Sequence, residues 1–169
     1  MRERDWTNSA PEAGDVIKGP GITVQCLAPG QAAIISGGLD AAIASLAPGA
    51  AMIGLLDTLP ESGAYALRIA RDQVLLCTPE PFVAASGWHG DYALSVADDL
   101  YVPLQIEGDA DSTFLSSCMS AQGGSPSAMA LFAEKPCLVA RTDGAAIRVW
   151  VPRPDMAEVW TRLALLSRV

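Results

Sequence analysis

The apolar positions of this chain switch repeatedly between a period of two and a period near 3.6. The clearest period-2 stretch is Leu100, Val102, Leu104 and Ile106, alternating with Tyr101, Pro103, Gln105 and Glu107. It predicts a strand with one face buried. Pro103 lacks an N–H, so that strand is expected at a sheet edge or a bulge. Ile22–Leu27 and Ala32–Ser36 read as two more strands around a Pro29-Gly30 turn. Gly37-Gly38 breaks the second, and Asp40 is expected to cap a short helix through Leu46, ended by Pro48-Gly49. Ala50–Leu56 stays open between a strand and a buried turn. Tyr65–Ala70 and Val74–Thr78 flank Arg71-Asp72-Gln73 as a hairpin, stopped by Pro79 and Pro81. Phe82–Ser86 reads as a helical turn and Gly87–Asp91 as a middle loop, before a strand at Tyr92–Ala97. Gly108-Asp109 starts a helix carrying Phe114, Leu115 and Cys118. Gln122–Ser127, rich in Gly and Ser, reads as a mobile loop. Cys137–Arg141 and Ala146–Val151 form a hairpin around Thr142-Asp143-Gly144. The last helix begins at Asp155, with Glu158 placed as in a capping box, and its apolar stripe is Met156, Val159, Trp160 and Leu163.

These elements repeat. Gln31, Ala33, Ile35, Gly37 and Asp40 lead into Ile43 and Ala44; 71 positions later, Val102, Leu104, Ile106, Gly108 and Asp111 lead into Phe114 and Leu115. Further on, Leu67–Asp72 before Val74–Pro81 matches Cys137–Asp143 before Ile147–Pro154, with Pro79 and Pro81 opposite Pro152 and Pro154. A duplicated strand–helix–strand–strand unit implies a fold built by pairing two halves. The fold class read from this is α+β, with antiparallel sheet covered by short helices. Residues 1–20 read as a flexible N-terminal arm, and residues 21–169 as a single domain of two halves, about 21–86 and 92–169. Trp6 stands out in the arm, because a tryptophan there is expected to dock on this chain or on a partner.

Composition narrows the function. Half of the 169 residues are hydrophobic and only 18% are charged, enough for a sizeable core. The mean hydropathy of +0.27 fits either an Ala-rich core or apolar surface buried against another chain. The net charge is −8, with no clustered Lys or Arg, so nucleic acid and anionic membrane are not expected partners. The longest apolar run, near Ala41–Leu56, is interrupted by Pro48, Gly49 and Gly54, and cannot supply the about 20 residues of a membrane span. Met1–Asp15 has no apolar stretch of signal-peptide type, and a cytoplasmic location is expected.

No catalytic set emerges. Gly123-Gly124-Ser125 lacks the Lys-Ser/Thr ending of a phosphate loop, and Pro126 stands where a nucleophile elbow needs Gly. Cys26, Cys77, Cys118 and Cys137 form no CxxC pair and lie in apolar surroundings, which reads as buried thiols. His89 is the single histidine, and no cysteine is spaced to join it in a zinc site, so no metal site is expected. Asp40 and Asp111 are explained by helix capping. Asp98-Asp99 reads as a solvated turn, since neighbours in a strand face opposite ways. Trp88-His89, between Gly87 and Gly90, is the best contact loop, although Trp88 could equally be buried between the halves. The partner-interface candidates are therefore Trp6, Trp88, His89, Asp98 and Asp99, with no catalytic, cofactor-binding or metal residue. A stand-alone binding module using the Trp88-His89 loop remains one reading.

A resemblance adds to this. Val102-Pro103-Leu104-Gln105-Ile106-Glu107-Gly108-Asp109-Ala110, Leu115-Ser116-Ser117-Cys118, Ala140-Arg141-Thr142-Asp143 and Ile147–Arg153, followed by the Trp160 helix, resemble the gamma subunit of heterotetrameric sarcosine oxidase. The Leu67–Cys77 hairpin is similar to the family's earlier hairpin. The family's fold is like the folate-binding domain of the glycine-cleavage T-protein, which agrees with the duplicated unit. The resemblance implies an accessory, non-catalytic gamma subunit. Its partners would be a large flavoprotein alpha subunit and the beta and delta subunits of a complex that oxidatively demethylates sarcosine or a related N-methyl amino acid. FAD, FMN, NAD and tetrahydrofolate would lie on the other subunits, and none on this chain. The rival implied by the same fold is a small folate-binding, aminomethyltransferase-like protein, with Asp98 or Asp99 as its acid/base.

Overall fold

The computed structural model describes residues 9–108, 113–120, 122–142 and 146–168. The first unit comprises β1 (Val16–Gly19), β2 (Ile22–Cys26), β3 (Gln31–Gly37), α1 (Leu39–Leu46), β4 (Ala51–Ile53), β5 (Tyr65–Ala70) and β6 (Gln73–Thr78). The second repeats the series as β7 (Gly87–His89), β8 (Tyr92–Val96), β9 (Tyr101–Gly108), α2 (Thr113–Cys118), β10 (Met129–Phe132), β11 (Lys135–Arg141) and β12 (Ile147–Pro152). A 3-10 turn at Arg153–Asp155 then leads into α3 (Met156–Leu166). The fold is α+β.

The units do not form one sheet each. One sheet runs β1-β2-β9-β12-β11-β10, the other β4-β5-β6-β3-β8-β7. Each unit therefore sends its first hairpin into the other's sheet. The exchange is reciprocal in register: Cys26, Val24 and Ile22 lie opposite Leu104, Ile106 and Gly108, while Val96, Leu94 and Tyr92 lie opposite Ala33, Ile35 and Gly37. The halves expected at 21–86 and 92–169 thus exchange hairpins between the two sheets. Residues 22–26 belong to the second unit's sheet and 92–96 to the first unit's. Residues 16–19, assigned from the sequence to an arm, form β1 and pair with β2. Their run of four residues is too short for periodicity to disclose. Residues 1–8, and with them the expected docking of Trp6, lie outside the described residues.

The central strands carry apolar side chains on both faces, because both faces are covered. Val139, Val149 and Val151 pack with Met156, Val159 and Leu163 of α3 and Phe114 of α2. Their neighbours Leu138, Ala140 and Trp150 face the other sheet, meeting Leu67, Leu75 and Tyr65. On the far side, Ala33, Ile35, Val74 and Leu76 pack under Leu39 and Ala42 of α1. The layers run helices, sheet, sheet, helix.

The glycines that punctuate the repeat have a steric cause. A Cβ on Gly108 would lie 2.7 Å from the carbonyl oxygen of Gly21, in the β1–β2 turn. A Cβ on Gly37 would lie 2.7 Å from that of Asp91, in the equivalent β7–β8 turn, and Gly37 also has φ +104°. Each incoming hairpin rests its turn on the host strand where a side chain would stand.

Other local expectations are corrected. Pro103 sits in a central strand, between β2 and β12. Its carbonyl accepts from Leu27 N at 2.9 Å, so its missing N–H also points to the β2 side, where β2 has already ended at Cys26. No bond to β12 is lost. Asp40 is not the cap of α1. Gly38 takes that place without a side-chain bond, and Asp40 lies in the first turn. Asp155 and Glu158 form no capping box, because Lys135 draws both carboxylates, at 3.8 and 3.0 Å. Gly87–His89 is strand rather than loop, and Phe82–Ser86 is irregular. Asp109, Asp111, Asp143 and Gly144 lie outside the described residues. No helix among the described residues is long and apolar enough to cross a membrane.

Candidate functional site

The two connections that carry the chain from one sheet to the other, Leu27–Gly30 and Ala97–Leu100, lie side by side. Between them opens a cavity of about 260 Å³. Its walls include Tyr65, Cys77, Tyr101, Arg148 and Trp150, with Asp98 at the rim. Tyr65 from β5 meets Trp150 from β12 edge-on, with ring centroids 6.2 Å apart and planes at 63°. Arg148 projects from the same face of β12 as Trp150, and its Nε donates to Gln105 Oε1 at 3.0 Å. Gln105 Nε2 in turn donates to Thr142 Oγ1 at 2.9 Å, so the guanidinium is held from behind.

Burial sets the protonation here. Desolvation, then the neighbouring Cys77, raises the Tyr65 phenol. Desolvation pushes the Cys77 thiol up to about 12, against the lowering effects of Tyr65 and Arg148. Both groups are neutral near pH 7, and a neutral thiol is a poor nucleophile. Cys118 and Cys137 are likewise pushed up to about 12 by burial. No three His, Cys, Asp or Glu side chains converge as a metal site among the described residues. The cavity can hold a small planar or apolar group against its rings, with Arg148 and Asp98 as polar contacts. It offers no activated nucleophile.

The structure separates the candidates read from the sequence. Asp98 is half-buried beside the cavity, where its Oδ1 accepts from Ala32 N at 2.8 Å. That bond ties the β8–β9 connection to the start of β3. Asp99 is exposed, and its carbonyl accepts from Arg153 Nε. Trp88 and His89 stand at the other end of the β7–β8 hairpin. Ala93, the partner of Trp88, and Asp98 are five positions apart, about 17 Å along extended chain, too far for one shared site. Trp88 is 77% exposed, which removes the alternative of burial between the halves. His89 Nε2 donates to Ala85 O at 2.6 Å, and its ring stacks on Tyr92 at 5.7 Å. That pins the imidazole as a strut of the hairpin. Sequence reasoning missed the Tyr65, Cys77, Arg148 and Trp150 cluster. The alternation of Arg148 and Trp150 within an apolar run was a signal, but their meeting with Tyr65 depends on how two sheets stack.

No family model matches this chain, and no curated protein matches it. Among solved structures it is similar to a chain of the heterotetrameric sarcosine oxidase from Corynebacterium sp. U-96 in complex with pyrrole 2-carboxylate. The TM-score is 0.63 and the identity 17%, over 91% of this chain and 90% of that chain. The likeness is one of fold. The near-equal coverage makes the two chains nearly equal in length.

Proposed function

We propose that this chain is an accessory, non-catalytic subunit, of the gamma type, in a heterotetrameric sarcosine-oxidase-like flavoenzyme acting on sarcosine or a related N-methyl amino acid. The observation that carries this reading is the end-to-end likeness of fold to a similarly long chain of such an oxidase. The sequence pieces quoted above for the gamma subunit point the same way. In this reading FAD, FMN, NAD and tetrahydrofolate belong to the alpha, beta and delta subunits, which carry the oxidation and take up the one-carbon unit. This chain's part is to bury apolar surface and hold the assembly together. Large apolar side chains left exposed, Val83, Trp88, Leu131 and Leu165 among them, support such a role. The test is co-expression with the neighbouring genes, then native mass spectrometry of the purified tagged chain. A yellow complex containing a large flavoprotein subunit is expected. A colourless monomer or homodimer would remove the oxidase reading.

The ring-walled cavity beside Asp98 favours one second reading, a small folate-binding, aminomethyltransferase-like protein. Saturable binding of tetrahydrofolate to the isolated chain, lost in Asp98→Asn, is its expected signature. A flat titration would eliminate it.

A further inference from the structure

The inner faces of the two sheets follow one plan, so each is a control for the other. Arg148 on β12 pairs with Gln105 and Ala140. Its counterpart is Leu75 on β6, which pairs with Ile34 and Leu67. Each stands two residues before the cavity-wall residue of its strand, Trp150 or Cys77. Leu75 is 1% exposed and packs in the layer between the sheets with Leu67, Leu138 and Trp150. The fold is therefore content with an apolar side chain at this place, and the second unit puts a guanidinium there. Gln105 likewise stands where the first unit has Ile34.

A half-buried cation calls for a counter-charge. Arg148 is half-buried and forms no ion pair among the described residues. Its Nε is engaged by Gln105, but no carboxylate or carbonyl takes its terminal nitrogens among the described residues. The groups that act with it are the Tyr65 phenol and the Cys77 thiol. Both are neutral near pH 7 and both carry a hydrogen to donate. Together the three present donors and a positive charge to the cavity. Asp98 is the acid among the lining residues, and its Oδ1 is already engaged by Ala32 N.

The rest of the wall is apolar and ringed. Tyr65 and Trp150 meet edge-on beside the guanidinium. The volume, about 260 Å³, falls below the about 300–1,000 Å³ of pockets that take drug-sized molecules. An acid with a single flat ring fits such a space. A folate, with its fused-ring head, benzoyl linker and diacid tail, does not fit whole.

We infer that this cavity is a binding site for a small aromatic monocarboxylic acid, whose carboxylate takes the free edge of Arg148 and whose ring lies against Trp150 and Tyr65. A guanidinium edge matches a carboxylate in two parallel hydrogen bonds. Asp98 at the rim disfavours a second negative charge, which limits the ligand to one carboxylate. The inference goes beyond both readings above and requires neither: it holds whether the chain works within an oxidase or alone, and its ligand is smaller than folate.

The test is calorimetric titration of the full-length chain with benzoate and nicotinate, and with benzamide as the neutral match of benzoate. We expect saturable binding of benzoate at about 1 mM or tighter, an ordinary affinity for so small a ligand. Benzamide should bind at least about tenfold more weakly, because it lacks the charge. Arg148→Leu copies the residue at the matched place, so it should abolish benzoate binding while the thermal midpoint holds or rises, an unpaired cation having left the layer between the sheets. Should that variant fail to fold, Arg148→Gln, which keeps a polar partner for Gln105, reads the same loss. A flat titration of the wild-type chain with both acids overturns the inference, as does equal binding of benzoate and benzamide. Benzoate binding that survives Arg148→Leu with a lowered midpoint makes Arg148 a purely structural residue and overturns it too. Saturable tetrahydrofolate binding without benzoate binding decides for the folate reading instead. None of these outcomes touches the subunit reading, which is judged by retention of the flavoprotein.

Discussion

The hairpins β1–β2 and β7–β8 enter their host sheets in the same way, in the same register, with a turn resting on a glycine of the host strand. Their uncovered ends nonetheless carry different side chains, Lys18 and Thr23 against Trp88 and Ala93. Where the two agree, the fold dictates the residue. Where they differ, the fold leaves the choice free. The same contrast applies to the central cavity, whose walls come from equivalent strands. Cys77 of β6 corresponds to Trp150 of β12 by pairing, since they face Tyr65 and Leu138 at matching steps. One half of the wall is therefore small and the other large.

Mutation and unfolding measurements separate what the two units share from what they do not. The largest effect is expected from Trp150→Ala. Trp150 is 5% exposed and wedged between the sheets, so its truncation should cost about 4 kcal/mol in urea unfolding. Next come the paired glycines. Gly37→Ala and Gly108→Ala both force a Cβ toward a backbone carbonyl, but only Gly37 also has a positive φ. Gly37→Ala should therefore cost about 3 kcal/mol and Gly108→Ala about 1 kcal/mol less. Equal losses would show that the β7–β8 turn yields more readily than the β1–β2 turn.

A third check uses alkali. Cys77, Cys118 and Cys137 are each pushed up to about 12 by burial, while the unfolded thiol keeps its ordinary value of 9.0. The native state then holds protons that the unfolded state releases. The contribution of these thiols is complete below pH 9 and is lost as pH rises from there through about 12. Unfolding midpoints should fall over that range, and a maleimide at pH 8 should label these three only after urea is added. The smallest change should follow Arg162→Met, which removes a two-pronged contact to Glu134 at 2.7 Å on an exposed flank. We expect about 0.5 kcal/mol or less, visible only as a slight shift of the thermal midpoint.

Much of this plan was legible in the sequence because it is written in local signals. The alternation from Leu100 to Glu107, the hairpin around Arg71-Asp72, and the recurrence of Gly37 at Gly108 all survive in three dimensions. What was hidden is what depends on distant pairing. Nothing near Ile22–Cys26 says that its neighbour is β9, more than 75 residues on, rather than β3. Pro103 misled for the same reason, since the safe side for its missing N–H is defined by where a remote strand stops. Asp155 and Glu158 obey a local capping pattern that Lys135, from the β10–β11 hairpin, overrides. For Trp88 the sequence left exposure and burial between the halves equally open, and only the strand pairing decides for exposure. The Tyr65–Trp150 cavity was not legible, because its rings come from different sheets.

The reciprocal exchange of hairpins also bears on how the molecule comes into being. A nascent chain that has emerged through β6 presents β1–β2 with no strand to receive it, and a half-sheet lacking β7–β8. Neither unit can finish until the other is made, so the decisive pairings join residues far apart in sequence. Such a topology folds late and slowly relative to a string of local hairpins, and exposes strand edges meanwhile. Splitting the gene between Thr78 and Gly87 should therefore yield two fragments that are insoluble apart and recover a folded protein only when produced together.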